Sequence, residues 1–341
     1  MNVLITGAAG FLGQRLARAL LKRGHLQSSA GTAEPIDELC LFDVNPPAAV
    51  EVDAVLDAGA NASGPPQRQS TQIRVRTITG DIRDDALLRS VIDARTTAVF
   101  HLSAIVSGTA EADFDLGWSI NLDGSRALLE ACRHSGVHAR VVFTSSVAVY
   151  GGKLPALVTD HTPLNPQSSY GAQKAMGELL LTDYNRKGFV DGRILRLPTI
   201  SVRPGRPNGA ASSFASGIIR EPLAGEPAQC PVDAQTPLWL LSPARAIEAL
   251  VHGYELPTEA IGIARAINLP GLSLTPAEMA QALTRVAGTE VAARIEWRPD
   301  ERVERIVASW PAAWDTSRAL TLGFKPDADF DSVIQAYQSE M

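Results

Sequence analysis

TGAAGFLG, at residues 6–13, stands between a short apolar run at 2–6 and a segment whose apolar side chains recur at helical spacing. Its glycines follow a G-x-x-G-x-x-G pattern. In a strand–turn–helix unit, Gly7 would let the chain turn, Gly10 would let the backbone approach a pyrophosphate, and Gly13 would let the helix pack against the sheet. The helix N-terminus would offer N–H groups to phosphate. We therefore expect dinucleotide contacts from Gly7, Gly10, Phe11, Leu12 and Gly13.

Strand-like and helical segments alternate from this motif to about residue 200. The strand-like segments are ELCLF at 38–42, RVRTITGDI at 74–82, AVFHLSA at 98–104 and ARVVFTSS at 139–146. Apolar strands joined by helices predict a parallel sheet with helices on both faces. We also expect a polar loop at 27–37 and a flexible surface excursion at 58–72, where small and polar residues accumulate.

The alternation stops after about residue 200, where prolines become frequent. The prediction is an α/β fold. A Rossmann-type doubly wound parallel sheet would occupy 1–200 and carry the cofactor and chemical sites. A smaller mixed C-terminal lobe, mainly 201–341, would bind the substrate, with the chain free to cross between the two lobes.

Charge and cysteine usage exclude several classes of function. The 341 residues include 37 acidic and 31 basic side chains, a net charge of −6, without a Lys/Arg run. This pattern argues against binding to nucleic acid or to an anionic membrane. No apolar stretch is long enough to span a membrane, and the N-terminus does not read as a signal peptide, so we expect a cytoplasmic protein. The three cysteines form no C-x-x-C pair and the histidines show no metal spacing, so we expect no metal.

Asp43 ends the second strand-like segment, where an acid can accept hydrogen bonds from both ribose hydroxyls and repel a 2′-phosphate. Val44 and Asn45 follow, so no arginine is there to receive that phosphate. The pattern favours NAD over NADP, the alternative being an Asp that only caps a turn. Further cofactor contacts are expected at the carboxyl ends of later strands, from Asp81, Ile82, Leu102, Ser103, Ala104, Leu197 and Thr199.

YGAQK places Tyr170 and Lys174 four residues apart, on one face of a helix. A nearby ammonium favours the phenolate and lowers the pKa of the phenol, which can then take a proton from a substrate alcohol. FTSS, at 143–146, ends a strand with two serines, either of which could hydrogen-bond the substrate oxygen. The sequence leaves open whether Ser145 or Ser146 faces the site.

These motifs together resemble the extended short-chain dehydrogenase/reductase family. The matching stretches are GAAGFLG at 7–13, GDIRD at 80–84, HLSA at 101–104, NLDGSRALLEAC at 121–132, FTSSVAVYG at 143–151, YGAQK at 170–174 and DTSRALTLGF at 315–324, together with Asp43. The resemblance implies that Tyr170 is the acid/base and that Lys174 tunes it and holds the nicotinamide ribose. It implies that Ser146 is the catalytic hydroxyl and that Asn121 supports the active site. Ser145, Asn121, Tyr170 and Lys174 are accordingly expected near the cofactor.

The substrate should border RILRLPTISVRPGRPNGAASSF at 193–214. This block resembles members of the family that oxidise the C2 hydroxyl of a short sugar acid, which implies D-erythronate, oxidised to the 2-oxo acid, as the best single substrate. A guanidinium can grip its carboxylate with two hydrogen bonds. Arg203 and Arg206 could instead form surface ion pairs, and Arg220 could supply the charge. The expected substrate contacts are Ser107, Ser146, Tyr170, Arg203, Arg206 and Asn208.

Two other functions compete with a sugar-acid dehydrogenase. A nucleotide-sugar 4-epimerase or dehydrogenase of the same family would use the same tyrosine and lysine. A cofactor-sensing binding protein would have no need of a lysine-activated phenol.

The helices near 122–132 and 174–184 carry apolar residues that predict a homodimer, although these residues could equally face the sheet. Three tryptophans are expected to be core or interface anchors: Trp239, Trp310 and Trp314.

Overall fold

The structure is a computed structural model that describes residues 1–28, 31–47, 73–205, 207 and 209–341. In chain order its strands are β1 (Asn2–Thr6), β2 (His25–Gln27), β3 (Ala33–Pro35), β4 (Glu38–Asp43), β5 (Arg74–Thr79), β6 (Thr96–His101), β7 (Arg140–Ser146), β8 (Asp191–Leu197), β9 (Thr199–Ile200), β10 (Ala228–Cys230), β11 (Leu238–Leu241), β12 (Ala266–Asn268), β13 (Leu272–Leu274) and β14 (Ile295–Trp297).

The α-helices, also in chain order, are α1 (Phe11–Arg23), α2 (Asp85–Val91), α3 (Ser107–Ala112), α4 (Phe114–Trp118), α5 (Gly124–Ser135), α6 (Ser169–Arg186), α7 (Phe214–Leu223), α8 (Pro243–Glu255), α9 (Thr258–Ile261), α10 (Pro276–Ala287), α11 (Thr289–Ala292), α12 (Glu301–Val307), α13 (Ser317–Thr321) and α14 (Phe330–Gln338). A π-helical turn, Ser119–Asp123, leads into α5, and a 3₁₀ turn, Val147–Val149, follows β7.

Seven parallel strands form the central sheet, in the order β12-β8-β7-β6-β1-β4-β5. The chain runs outward from β1 in one direction through β4 and β5, and then in the other direction through β6, β7 and β8. The order therefore reverses between β1 and β6, which is where α/β proteins of this kind bind their ligands. The predicted doubly wound parallel sheet is confirmed.

Alternating side chains of β1 divide the core between the two faces of this sheet. Val3 and Ile5 pack in a cluster that includes apolar residues of α1 and α8. Leu4 points the other way, into a cluster with apolar residues of α2, α5 and α6. Helices thus bury both faces, which explains why the strands read as apolar runs.

The C-terminal lobe has its own apolar core, built mainly from α7, α10 and α14 together with short strands. Its strands form two small sheets, β10-β14 and β13-β11-β9. The chain also returns to the central sheet, because β12 pairs in parallel with β8 and α8 packs against the core on one face. Residues after 200 are therefore shared between the lobe and the edge of the main sheet.

Two loop predictions have different outcomes. The polar loop expected at 27–37 was wrong in part, because Ala33–Pro35 pairs antiparallel with His25–Gln27 in a short hairpin. The two strands of this hairpin lack the alternation of apolar and polar residues that predicts a strand. The excursion expected at 58–72 lies outside the described residues. Among the helices that the structure describes, none is both long enough and apolar enough to cross a lipid bilayer.

Candidate active site

A cavity of about 320 Å³ opens at the carboxyl ends of the central strands, beside the reversal of strand order. Most of the predicted site residues line it together. They are Gly7, Gly10, Phe11, Leu12, Gly13, Leu102, Ala104, Ser107, Ser145, Ser146, Tyr170, Lys174, Leu197, Thr199 and Arg203. The structure thus gathers residues from both lobes around one space.

The glycines of the first motif are required by close backbone contacts. Gly7 has a φ of +73°, and a Cβ there would lie 2.7 Å from the carbonyl carbon of Leu102. A Cβ on Gly13 would lie 2.2 Å from the Gly7 carbonyl oxygen. Gly10 caps α1 without a side chain, and the first turn of α1 contains no acidic residue. The positive end of the helix dipole therefore faces the cavity uncompensated, which fits the pyrophosphate of a dinucleotide.

Asp43 is not among the residues that line the cavity, and its side chain hydrogen-bonds the glycine loop at 7–13. Its Oδ2 accepts a hydrogen bond from the Ala9 N–H (3.0 Å) and its Oδ1 accepts one from the Asn45 N–H (3.0 Å). The side chain is buried at the end of β4. Each carboxylate oxygen keeps a further lone pair, so the group can still accept from ribose hydroxyls.

Four other predicted cofactor residues do not line the cavity. Asp81 forms an ion pair with Arg83 (2.6 Å), whose hydrogen bond lowers the pKa of the Asp81 carboxyl. Ile82 is buried in the core, and the Ser103 N–H donates to the Thr6 hydroxyl (3.4 Å). The fourth is the Asn121 side chain.

Asn121 stands in the π-helical turn and clamps the loop after β6. Its Oδ1 accepts from the Ile105 N–H (2.7 Å), and its Nδ2 donates to the Ile105 carbonyl (3.1 Å) and to the Gln173 side chain (2.7 Å). The residue therefore ties the cavity wall to α6 instead of facing the cavity. The supporting role of Asn121 stays a prediction.

Ser146 and Tyr170 meet because α6 begins against the turn that follows β7. The Ser168 hydroxyl caps the helix by accepting from the Gly171 N–H (3.2 Å). A Cβ on Gly171 would lie 2.1 Å from the Ala148 carbonyl oxygen, so only glycine allows this approach. The Ser146 hydroxyl then lies close enough to the Tyr170 phenol to lower its pKa.

Burial controls the acidity of the Tyr170 phenol. Burial raises its pKa to about 12, and the nearby Ser146 hydroxyl acts in the opposite direction. The Lys174 ammonium lies 5.8 Å from the centre of the Tyr170 ring, one helical turn away. A positive charge at this distance favours the phenolate, which is the form that can accept a proton from an alcohol.

Lys174 is itself almost completely buried and lies 4.7 Å from the centre of the Phe143 ring. Burial lowers the pKa of its ammonium to about 8, and the negative charge of Glu178 partly offsets this effect. Glu178 is held in turn by two hydrogen bonds from the Arg196 guanidinium (2.8 and 2.6 Å). The buried acid thus helps Lys174 to keep its proton near neutral pH.

The two adjacent serines have different partners. The Ser145 hydroxyl donates to Glu178 (2.5 Å), away from the phenol, whereas Ser146 contacts Tyr170. Successive residues of a strand point to opposite faces, which explains the separation. The geometry therefore favours Ser146 as the hydroxyl that orients a substrate oxygen.

The substrate side of the cavity is positively charged. Of the described residues that line it, Lys174 and Arg203 are cationic and none is anionic. Burial, followed by the charge of Arg220, lowers the pKa of the Arg203 guanidinium. Arg220 does not line the cavity, because it donates to the Arg203 carbonyl (2.8 Å) and to Glu221 (2.5 Å). Arg206 and Asn208 lie outside the described residues.

Sequence reasoning missed several residues of this wall as site residues, and Ser216 and Trp310 are two of them. Ser216 lies in α7 and Trp310 follows α12, and both line the cavity. Neither belongs to a motif, and Trp310 is separated from Tyr170 by 140 positions of the sequence. Only the folding of the C-terminal lobe over the sheet brings them to the site.

The chain matches known proteins along its whole length. The model of the NAD dependent epimerase/dehydratase family matches residues 3–239. A D-erythronate dehydrogenase of Cupriavidus necator is 61% identical over 340 residues, covering 100% of this chain and 98% of the relative. A D-erythronate dehydrogenase of Haemophilus influenzae is 45% identical, covering 99% and 98%. A crystal structure described as a nucleoside-diphosphate-sugar epimerase from Agrobacterium tumefaciens has a TM-score of 0.85 and 41% identity, covering 100% of this chain and 94% of that one.

The first prediction concerns the phenol. Tyr170→Phe should lower kcat by about 100-fold or more, because the variant keeps the ring and loses the proton acceptor. Its affinity for the nicotinamide cofactor, measured by titration, should stay within about twofold. Ser146→Ala should also lower kcat, and by more than Ser145→Ala does. Near-normal kcat in Tyr170→Phe would contradict the assignment.

Proposed function

Since the chain belongs to the NAD-dependent epimerase/dehydratase family, we propose that it oxidises the C2 hydroxyl of a short sugar acid. The proposed substrate is D-erythronate, and the proposed product is the 2-oxo acid. The chain is an oxidoreductase that uses a nicotinamide cofactor. The observation that carries the proposal is the cavity itself. It combines the Ser146–Tyr170–Lys174 group with a second cation, Arg203, and contains no acidic residue among those described.

In the proposed reaction, Ser146 and Tyr170 both hydrogen-bond the C2 hydroxyl. The phenolate oxygen of Tyr170 accepts the hydroxyl proton as the C2–H bond breaks and the C2 carbonyl forms. The bound nicotinamide cofactor supplies the acceptor for the hydride. The Lys174 ammonium stabilises the phenolate before the proton moves, and Glu178 keeps that ammonium charged.

The carboxylate of the substrate would be held by Arg203. A guanidinium matches a carboxylate with two parallel hydrogen bonds, and the pairing is strong where water is excluded. Burial lowers the pKa of Arg203, and a partly buried guanidinium attracts an anionic ligand more strongly than one in open water does. Ser107 lines the same cavity, where its hydroxyl accepts from the Ala211 N–H (3.1 Å) and could also contact a substrate hydroxyl.

The competing function is a nucleotide-sugar epimerase, which the similarity to the Agrobacterium tumefaciens protein brings into consideration. A nucleoside diphosphate would need cations for two phosphate groups. Among the described residues of the cavity wall, Arg203 is the only cation besides Lys174. One guanidinium suits one carboxylate, so the sugar acid fits the wall better.

A substrate panel tests the proposed function. NADH formation, followed by absorbance, should favour D-erythronate over erythritol and erythrose by at least about tenfold in kcat/KM, because the neutral compounds offer no carboxylate to Arg203. Arg203→Met should raise KM for D-erythronate about tenfold or more and reduce this preference, while NAD affinity is retained. Turnover of UDP-sugars together with no NADH from millimolar D-erythronate would replace the proposal with the epimerase.

NAD is the proposed form of the cofactor. The wild-type enzyme should prefer NAD to NADP in kcat/KM, because the Asp43 carboxylate accepts from ribose hydroxyls and repels a 2′-phosphate. Asp43→Ala should reduce the NAD/NADP ratio about tenfold or more. The variant also loses the bond to the Ala9 N–H, which would weaken both cofactors alike and leave their ratio unchanged. An unaltered NAD/NADP ratio would therefore show that Asp43 only holds the glycine loop through its hydrogen bond to Ala9.

We propose a homodimer formed through α6. The apolar residues of α5 are mostly buried within the chain, whereas Leu179 of α6 is 67% exposed. Phe114 is 55% exposed and its ring lies 5.7 Å from that of Trp118. Light scattering at micromolar concentration should give a dimer mass for the wild type and a monomer mass for Leu179→Glu. A monomeric wild type would rule the dimer out.

The proposed location is the cytoplasm. Cys40, Cys132 and Cys230 are buried free thiols in the structure. Reduced cysteines suit a compartment in which glutathione and thioredoxin keep thiols reduced.

A further inference from the structure

Two glycines from distant parts of the chain meet in the cavity wall, where α3 contacts the loop before α7. Ser107, at the start of α3, and Ala210, in the loop, both line the cavity. Gly108 and Gly209 are their neighbours in the sequence. A Cβ on Gly108 would lie 2.4 Å from the Gly209 carbonyl oxygen, and a Cβ on Gly209 would lie 2.2 Å from the Thr109 Oγ1 atom. The two backbones are therefore closer here than any larger residue would allow.

Small size, and not backbone conformation, is what this contact requires of the two glycines. Neither Gly108 nor Gly209 has a positive φ, so the backbone alone would accept other residues. The same contact includes a hydrogen bond, in which the Ala211 N–H donates to the hydroxyl of the buried Ser107 (3.1 Å). We name this contact of α3 with residues 209–211 the glycine junction. It fixes the loop against α3 at the cavity wall.

The helix α3 is also tied to the catalytic helix α6. The Ser169 N–H, in the residue before Tyr170, donates to the Glu111 carboxylate of α3 (2.8 Å). Ile105, which precedes α3, is held on both its N–H and its carbonyl by the Asn121 side chain. The position of the glycine junction is therefore set relative to the phenol that faces the substrate.

We propose that the glycine junction limits the length of the sugar acid that the cavity accepts. The inference rests on the proposed function, which places the C2 hydroxyl at Tyr170 and the carboxylate at Arg203. The remaining carbons must then fit within a cavity of about 320 Å³ that also has to hold the nicotinamide of the cofactor. The junction closes this wall with backbone atoms, which cannot rotate aside as a long side chain can. A longer acid would need the junction to open.

Gly108→Ala tests the junction from the side of α3. Its Cβ forces the Gly209 carbonyl to move, whereas alanine favours a helix, so α3 should persist. The measurement is kcat/KM for D-erythronate and for D-ribonate, a five-carbon acid with the same configuration at C2 and C3. The ratio of D-ribonate to D-erythronate should rise about tenfold or more above that of the wild type. Both values come from one preparation, so the fraction of active enzyme cancels.

Gly209→Ala tests the junction from the side of the loop and allows a rescue. Its Cβ would clash with the Thr109 Oγ1 atom, whereas the next nearest atoms lie at 3.6 Å or more. The ratio should rise as it does in Gly108→Ala. Adding Thr109→Ala removes the clashing hydroxyl and should return the ratio to within about twofold of the wild type. In Gly108→Ala the added Thr109→Ala should restore nothing, because that clash is with a backbone carbonyl.

Gly217→Ala, in α7, is the matched control. The nearest atoms to a Cβ there belong to the Glu221 carboxylate, at 3.4 Å or more, so its ratio should equal that of the wild type. The inference would be overturned by an unchanged ratio in both junction variants, by an equal shift in Gly217→Ala, or by no recovery in the double variant. A wild type that uses D-ribonate as well as D-erythronate would also overturn it and leave the proposed function intact. Absence of turnover of any sugar acid by the wild type would overturn both.

Discussion

A partly buried phenol holds its proton more tightly than one in water, and the proposed chemistry depends on countering that effect. Burial raises the pKa of Tyr170 to about 12, so the phenol alone would stay protonated at neutral pH and could not accept a proton. Lys174 supplies positive charge one turn along the same helix, but the same burial lowers its own pKa to about 8. Glu178, fixed by Arg196, counters this second effect. The proposed catalytic tyrosine is therefore followed by a series of buried charges, each of which supports the next.

The parallel sheet and the helix between two of its strands bring these side chains together. Ser146 ends β7, Arg196 lies near the end of β8, and α6 between them carries Tyr170, Lys174 and Glu178. One β–α–β unit therefore provides all the members. The neighbouring β1–α1 unit provides the glycine loop on the other side of the same cavity. The C-terminal lobe adds Arg203 and Trp310 to the cavity wall, so the residue proposed to bind the substrate carboxylate is separate from those proposed to carry the chemistry.

Sequence reasoning could identify what local physical rules dictate. The glycine spacing at 7–13 follows from close backbone contacts, and the tyrosine–lysine spacing follows from the period of a helix. The residue types alone left Ser145 and Ser146 open, although the family resemblance implied Ser146, because the partner that holds Ser145 is Glu178 in the distant helix α6. Sequence reasoning could not reject Arg220 or find Trp310, whose roles depend on contacts between distant segments. The sequence also did not predict that β12 joins the central sheet, since a strand of three residues is too short to show a pattern of alternating apolar side chains.

The central claim is that C2 of a sugar acid loses its hydrogen as hydride while Tyr170 accepts the hydroxyl proton. The most direct measurement uses D-erythronate deuterated at C2 with unlabelled NAD, and mass spectrometry of the reduced cofactor and the acid product. The account predicts NADH that carries one deuterium, a 2-oxo acid without it, and a normal primary isotope effect on kcat/KM. Unlabelled NADH, or an acid product that retains deuterium at C2, would contradict it.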